Sequence, residues 1–317
     1  MDRVNAIADQ RPVLVDSPPR THRHGWWWKA LLGGVALWLV TIVVTIVTSN
    51  VNLVPTLILL GSFLVPFSVV LFAAERISGS FSVTQLMVAF FVGGVLGVLG
   101  ASLLEADLQQ SVWTLLIVGF VEELVKGVLL VLVGRSLVPK TARQGALLGA
   151  VVGAGFAAFE SAGYAFRAVL APGGLDLASL LQTEALRAVL TPLGHVLWTA
   201  VLGAAIFAAS RDGRHYRYTW GVLGAYVGVS VLHGLWDSMS SLGVIVAVLV
   251  TGNRIVPALQ YGFVRPGTAA EVTTLSSVFY VVGLAVISVI GIATLIALVR
   301  RHRRRDASVL EQHAAAA

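Results

Sequence analysis

Residues Val112–Val133 read VWTLLIVGFVEELVKGVLLVLV, an apolar run broken in its middle by Glu122, Glu123 and Lys126. A hydrocarbon core of about 30 Å takes about 20 helical residues to cross, so this run is long enough to span. Each charged side chain at a bilayer centre costs about 2.5–3.5 kcal/mol on insertion scales. Three of them within five residues exclude a lipid-facing position, and their helix must turn them toward a protein interior or a wet cavity. Working outward, the rest of the chain is of the same kind. Its 317 residues are 57% hydrophobic and 12% charged, with a mean hydropathy of +0.86. Soluble domains carry about 25% charged residues. The expected fold class is an all-α, polytopic membrane helical bundle of about eight transmembrane helices.

Eight apolar runs meet the length requirement, near 30–48, 53–73, 83–104, 112–133, 145–169, 187–209, 219–240 and 275–299. Trp26, Trp27, Trp28 and Lys29 mark an interfacial belt at the start of the first, which reads as a retained signal anchor. The run Gly243–Val250 is too short to span, and either extends the seventh helix or re-enters the membrane. With the amino terminus inside, 17 of the 22 Lys and Arg fall on inner segments and four on outer ones. That bias predicts cytoplasmic termini in a plasma-membrane protein; a seven-span reading would place one terminal basic cluster outside. The expected organisation is a disordered tail over 1–25, a transmembrane domain over 26–300 and a basic tail over 301–317. The +6 charge lies in juxtamembrane clusters and does not point to nucleic acid, and the absence of cysteine excludes thiolate chemistry. Gly145, Gly149 and Gly153, and Gly93 with Gly97, have the small-xxx-small spacing that lets membrane helices approach closely.

Ionisable residues within the spans are few: Glu122, Glu123 and Lys126, then Glu160, His195, His233 and Asp237. Counting from helix ends at about 1.5 Å per residue, four helices deliver them to one layer toward the outer face. Lys126 is i+4 from Glu122 and i+3 from Glu123, so it can pair with either, and reads as a counter-ion. His233 and Asp237 are i, i+4, so the carboxylate can orient the imidazole. Tyr164, Trp198 and Thr199 lie one turn from these groups and read as packing residues, while Arg167 and Arg187 near helix ends read as snorkelling cations.

The residues also carry a resemblance. EELVK over Glu122–Lys126 fits EExxK, FAAFE over Phe156–Glu160 fits FxxxE, and HGLWD over His233–Asp237 fits HxxxD, with PLGHVLWT around His195 between the last two. In this order over about residues 80–245, they resemble the PrsW family of intramembrane proteases, akin to the CAAX prenyl protease and CPBP superfamily. Ser161 stands where that family often has Asn. The first two spans and the last read as peripheral additions. The resemblance implies hydrolysis of a membrane-anchored protein, in bacteria an anti-sigma factor, and the lipid bilayer as the working environment. It leaves two mechanisms open. In one, Glu122 or Glu123 is the general base on water beside Glu160, His195 and His233 serve the oxyanion or the proton, and Asp237 orients His233. In the other, zinc is held by His195, His233 and a carboxylate of Glu122 or Glu160. A proton- or cation-coupled transporter is the alternative from another class; it predicts internal repeats and discontinuous helices, neither of which is legible in the sequence.

Overall fold

A computed structural model describes residues 25–76, 82–109, 111–171, 174–252 and 266–315. The tail expected to be disordered lies, but for Gly25, outside them. Helix α1 (Trp26–Thr48) turns through Val51–Leu53 into α2 (Val54–Arg76). Helices α3 (Val83–Phe91) and α4 (Gly97–Glu105) form one rod joined by a π-helical turn at Val92–Leu96. Next come α5 (Val112–Gly134) and α6 (Ala142–Val169). A two-residue hairpin, β1 (Leu170–Ala171) with β2 (Gly174–Leu175), leads into α7 (Leu177–Leu190). Helices α8 (His195–Ala208), α9 (Trp220–Thr251) and α10 (Pro266–Ala315) complete the described chain.

Local sequence sets several of these boundaries. Ser111 and Thr141 begin α5 and α6 with capping boxes, each side chain accepting from the amide three residues on. The break between α7 and α8 falls at Thr191–Leu193, where Pro192 supplies no amide hydrogen for a continuous helix. A discontinuous helix, not legible in the sequence, is present here, and His195 is the first residue of the helix after the break. The Gly243–Val250 run continues α9. Helix α10 runs well past 299, because Arg305 donates to the carbonyls of Ala208 and Lys140 (2.7 Å to the latter) while Asp306 accepts from the Ala142 amide at 2.9 Å.

Among the described residues, seven helical segments are long and apolar enough to cross a membrane. Helix α5, at 23 residues, equals α1 in length but carries the three charges. The core lies between α6 and α8: every residue from Val196 to Ala208 is buried. In helix α1 only Thr45 is buried, with Trp38 and Ile42 among those partly so. Helix α2 is not peripheral: Leu57, Val70 and Ala73 are fully buried or nearly so, and it packs on α6 and α7.

Candidate active site

Two close helix contacts assemble the site. Gly119 of α5 faces α9 so tightly that a Cβ there would stand 2.6 Å from the Ser230 carbonyl oxygen and the Gly234 amide. This contact carries Glu122 and Glu123, one turn on, to His233. On the other side, Cβ atoms at Gly145, Gly149 and Gly153 of α6 would run into the carbonyl oxygens of Gly203, Thr199 and His195 of α8. The glycine stripe therefore seats α8, and its last member seats the backbone of His195 beside Glu160.

Lys126 sits at the centre, fully buried. Its Nζ lies 2.6 Å from Glu123 Oε1, 3.3 Å from Glu122 Oε2 and 3.1 Å from His195 Nδ1, and 4.3 Å from the centroid of the Phe156 ring. An ammonium only donates, so Nδ1 of His195 accepts and its proton is on Nε2. That Nε2 donates to Glu160 Oε2 at 2.9 Å. His233 is the mirror case. Its Nδ1 donates to Glu123 Oε1 at 3.0 Å, since an ionised carboxylate only accepts. The lone pair on Nε2 is left buried with no hydrogen-bond partner among the described residues. It faces Glu122 Oε2 at 3.6 Å and Asp237 Oδ2 at 3.3 Å. Trp198, fully buried, stacks on His233 with ring centroids 4.4 Å apart and meets His195 edge-on at 5.5 Å.

Each imidazole thus has one N–H fixed by a carboxylate and turns its other nitrogen toward Glu122. Among the described residues, Glu122, His195 and His233 form the group whose donor atoms lie within 4.8 Å of one another. Metal-bound histidines generally donate their second N–H to a carboxylate or carbonyl, and two histidines with one carboxylate is a catalytic zinc set. Bonds of about 2.0–2.1 Å in a tetrahedron put ligand atoms about 3.3 Å apart. The separations from Glu122, 3.6 Å to His233 and 3.8 Å to His195, exceed this by a few tenths of an ångström, and all three donor atoms lie within 4.8 Å of one another. The residues present therefore suit a metal ion. Binding through His195 Nδ1 requires Lys126 to release that hydrogen bond while keeping Glu123.

Glu160 is on the far side of His195, away from this donor group. Arg187 of α7 holds it by an ion pair and donates from Nε to Ser161 Oγ at 2.6 Å, with its guanidinium 4.4 Å from the Tyr164 ring. Arg187 is therefore part of the site and does not snorkel, because a carboxylate on the neighbouring helix competes better than the interface. Ser161 takes part as an acceptor for Arg187. The carboxylate bonded to His233 Nδ1 is Glu123, and Asp237 approaches Nε2. Glu105 of α4 is not singled out by sequence, because it lies just past the end of its apolar run; its Oε1 is buried without a hydrogen-bond partner among the described residues.

The site opens on two cavities. One of about 380 Å³ is bordered by Glu105, Glu122, Phe156, Glu160, Tyr164 and Asp237. The other, of about 470 Å³, lies toward α10 and is bordered by Tyr164, Arg187, Trp236, Asp237 and Tyr280. Tyr164 and Asp237 line both, so an extended chain lying along the two cavities would pass Asp237.

No curated protein and no solved structure matches the chain. The family of PrsW family intramembrane metalloproteases matches residues 24–261, a stretch that takes in the first two spans as well as the expected core and leaves out α10. With a match over most of its length and a Glu–His–His group on three of the matched helices, the chain belongs to the PrsW family of intramembrane metalloproteases and is a membrane-embedded peptidase.

Proposed function

We propose that the protein hydrolyses a peptide bond of a membrane-anchored protein, such as an anti-sigma factor, with Glu122 at the reacting centre. The observation that carries this reading is the opposed pair of imidazoles, each fixed by a carboxylate and each turned toward Glu122. In the metal form, Glu122, His195 and His233 hold zinc, which supplies Lewis acidity and makes water nucleophilic near neutral pH. In the metal-free form Glu122 itself takes the proton of the attacking water. In both, Glu123 and Glu160 fix the imidazoles, and Lys126 offsets the carboxylate charge. In the metal-free form the water's proton passes from Glu122 through His233 Nε2, 3.6 Å from Glu122 and 3.3 Å from Asp237, to Asp237. In the metal form Asp237 takes it from the water. In both, Asp237, bordering both cavities, delivers it to the leaving amine. Arg187 holds Glu160 in place.

The proposed setting is the plasma membrane with both termini cytoplasmic, on the charge bias of the inner segments. The proposal includes the distant kinship to the CAAX prenyl protease and CPBP superfamily. The test is cleavage of a single-span reporter by purified protein in liposomes, with and without chelator. Wild type should cleave, and Glu122→Gln should lose at least about 10³-fold, the scale of a missing base or metal ligand. Intact cleavage by Glu122→Gln would overturn both forms; cleavage that survives chelation would leave the metal-free one.

A further inference from the structure

At the end of the bundle far from the site, α2, α6 and α10 bring Arg76, Arg143 and Arg303 to one cavity of about 340 Å³, with Thr141, Gln144 and Asp306 in its wall. The acidic groups there are engaged. Asp306 accepts from the Ala142 amide at 2.9 Å and lies 3.6 Å from Arg305. Glu75, 3.7 Å from Arg76, accepts from the backbone amides of Gly25, Trp26 and Trp27 at 2.6–3.1 Å. Arg143 and Arg303 have no acidic partner among the described residues. Arg76 is stacked on Phe72, its carbon 3.6 Å from the ring centroid.

Phe72 also lines a second groove of about 430 Å³ that is almost wholly apolar, and Leu147 lines both. From Arg76 to Val65, at the groove's inner part, is eleven residues of α2, about 16 Å at 1.5 Å per residue. That is about half of a 30 Å hydrocarbon core, the depth of one leaflet. Guanidinium groups at a membrane surface above an apolar slot one leaflet deep match a single class of molecule. Basic pockets between transmembrane helices recognise anionic headgroups in this way.

We propose that this composite cavity binds one anionic phospholipid, its phosphate among Arg76, Arg143 and Arg303 and an acyl chain along Phe72, Leu147 and Val196. The chain then packs beside the helix break that presents His195.

The experiment is native mass spectrometry of the purified full-length protein titrated with phosphatidylglycerol or phosphatidylcholine. Wild type should retain one phosphatidylglycerol with at least tenfold preference. A basic residue near an anionic headgroup contributes about fivefold in affinity, so Arg143→Gln with Arg303→Gln should weaken binding about 25-fold. Arg301→Gln with Arg304→Gln removes the same charge outside the cavity and should change it less than twofold. Ala146→Phe fills the apolar groove without altering charge and should also weaken binding at least fivefold, with monodispersity and thermal midpoint checking that each variant folds. Equal losses in the two arginine pairs would mean diffuse surface attraction and would overturn the site. So would an Ala146→Phe variant that folds and binds normally, or displacement of the lipid by millimolar inorganic phosphate.

Discussion

Gly153→Ala tests whether the closeness of α6 and α8 sets the position of His195. The added Cβ would run into the His195 carbonyl oxygen and lie 2.9 Å from both the carbonyl carbon and Thr199 Oγ1. Ordinary contact begins at 3.4 Å, so the helices must part by at least about 0.5 Å there, and further at the oxygen. Parting α8 from α6 stretches the 2.9 Å bond from His195 Nε2 to Glu160 Oε2, which fixes the ring that faces Glu122. Overpacking of this kind costs about 1–3 kcal/mol of stability, and a misplacement of 1 Å costs about 10²-fold in rate. The expected result is a 10- to 100-fold slower initial rate on the reporter in liposomes, read on the monodisperse fraction, with a lower thermal midpoint. Gly163→Ala on the same helix, whose Cβ would meet nothing within 4 Å, should leave both unchanged. A Gly153→Ala enzyme within twofold of wild type would refute the claim that this contact places the imidazole.

Arg187→Lys should slow cleavage about 10- to 100-fold, the usual effect of removing a residue that orients a ligand's carboxylate partner, because an ammonium cannot reproduce the fork to Glu160 and Ser161; equal kcat and KM would sink that role. Trp198→Phe keeps an aromatic face on His233 and removes an indole N–H buried without a partner, so it should stay within about threefold, whereas Trp198→Ala forfeits the stack and packing and should lose about 3–5 kcal/mol of stability in a thermal or denaturant assay. In the metal form, zinc content measured by elemental analysis should approach one per chain and drop sharply in His195→Ala and His233→Ala. Zinc that stays near one per chain in both variants would argue against histidine ligands.

Much of the architecture was legible because the bilayer imposes a length and an apolar composition on each crossing. The charges of α5 stood out against that background, and helical spacing placed Lys126 against both glutamates. The continuation of α9 through 243–250 and the long α10 were harder to read, since helix ends outside the hydrocarbon are fixed by caps and docking contacts such as Arg305 and Asp306. The break at Thr191–Leu193 had a local cause in Pro192, yet a proline alone does not say whether a helix kinks or stops.

The sequence by itself determined that several helices bring carboxylates and imidazoles to a common depth, because charge in hydrocarbon is tolerated only where partners share the cost. Only the tertiary structure decided which partner takes which atom. Rotation of each helix about its axis, fixed by glycine contacts at Gly119 and Gly153, turned Glu123 to His233 Nδ1 and Glu160 to His195 Nε2. It also brought Arg187 from a helix end to Glu160. Depth follows from counting residues along one helix; pairing depends on sub-ångström packing between helices far apart in sequence.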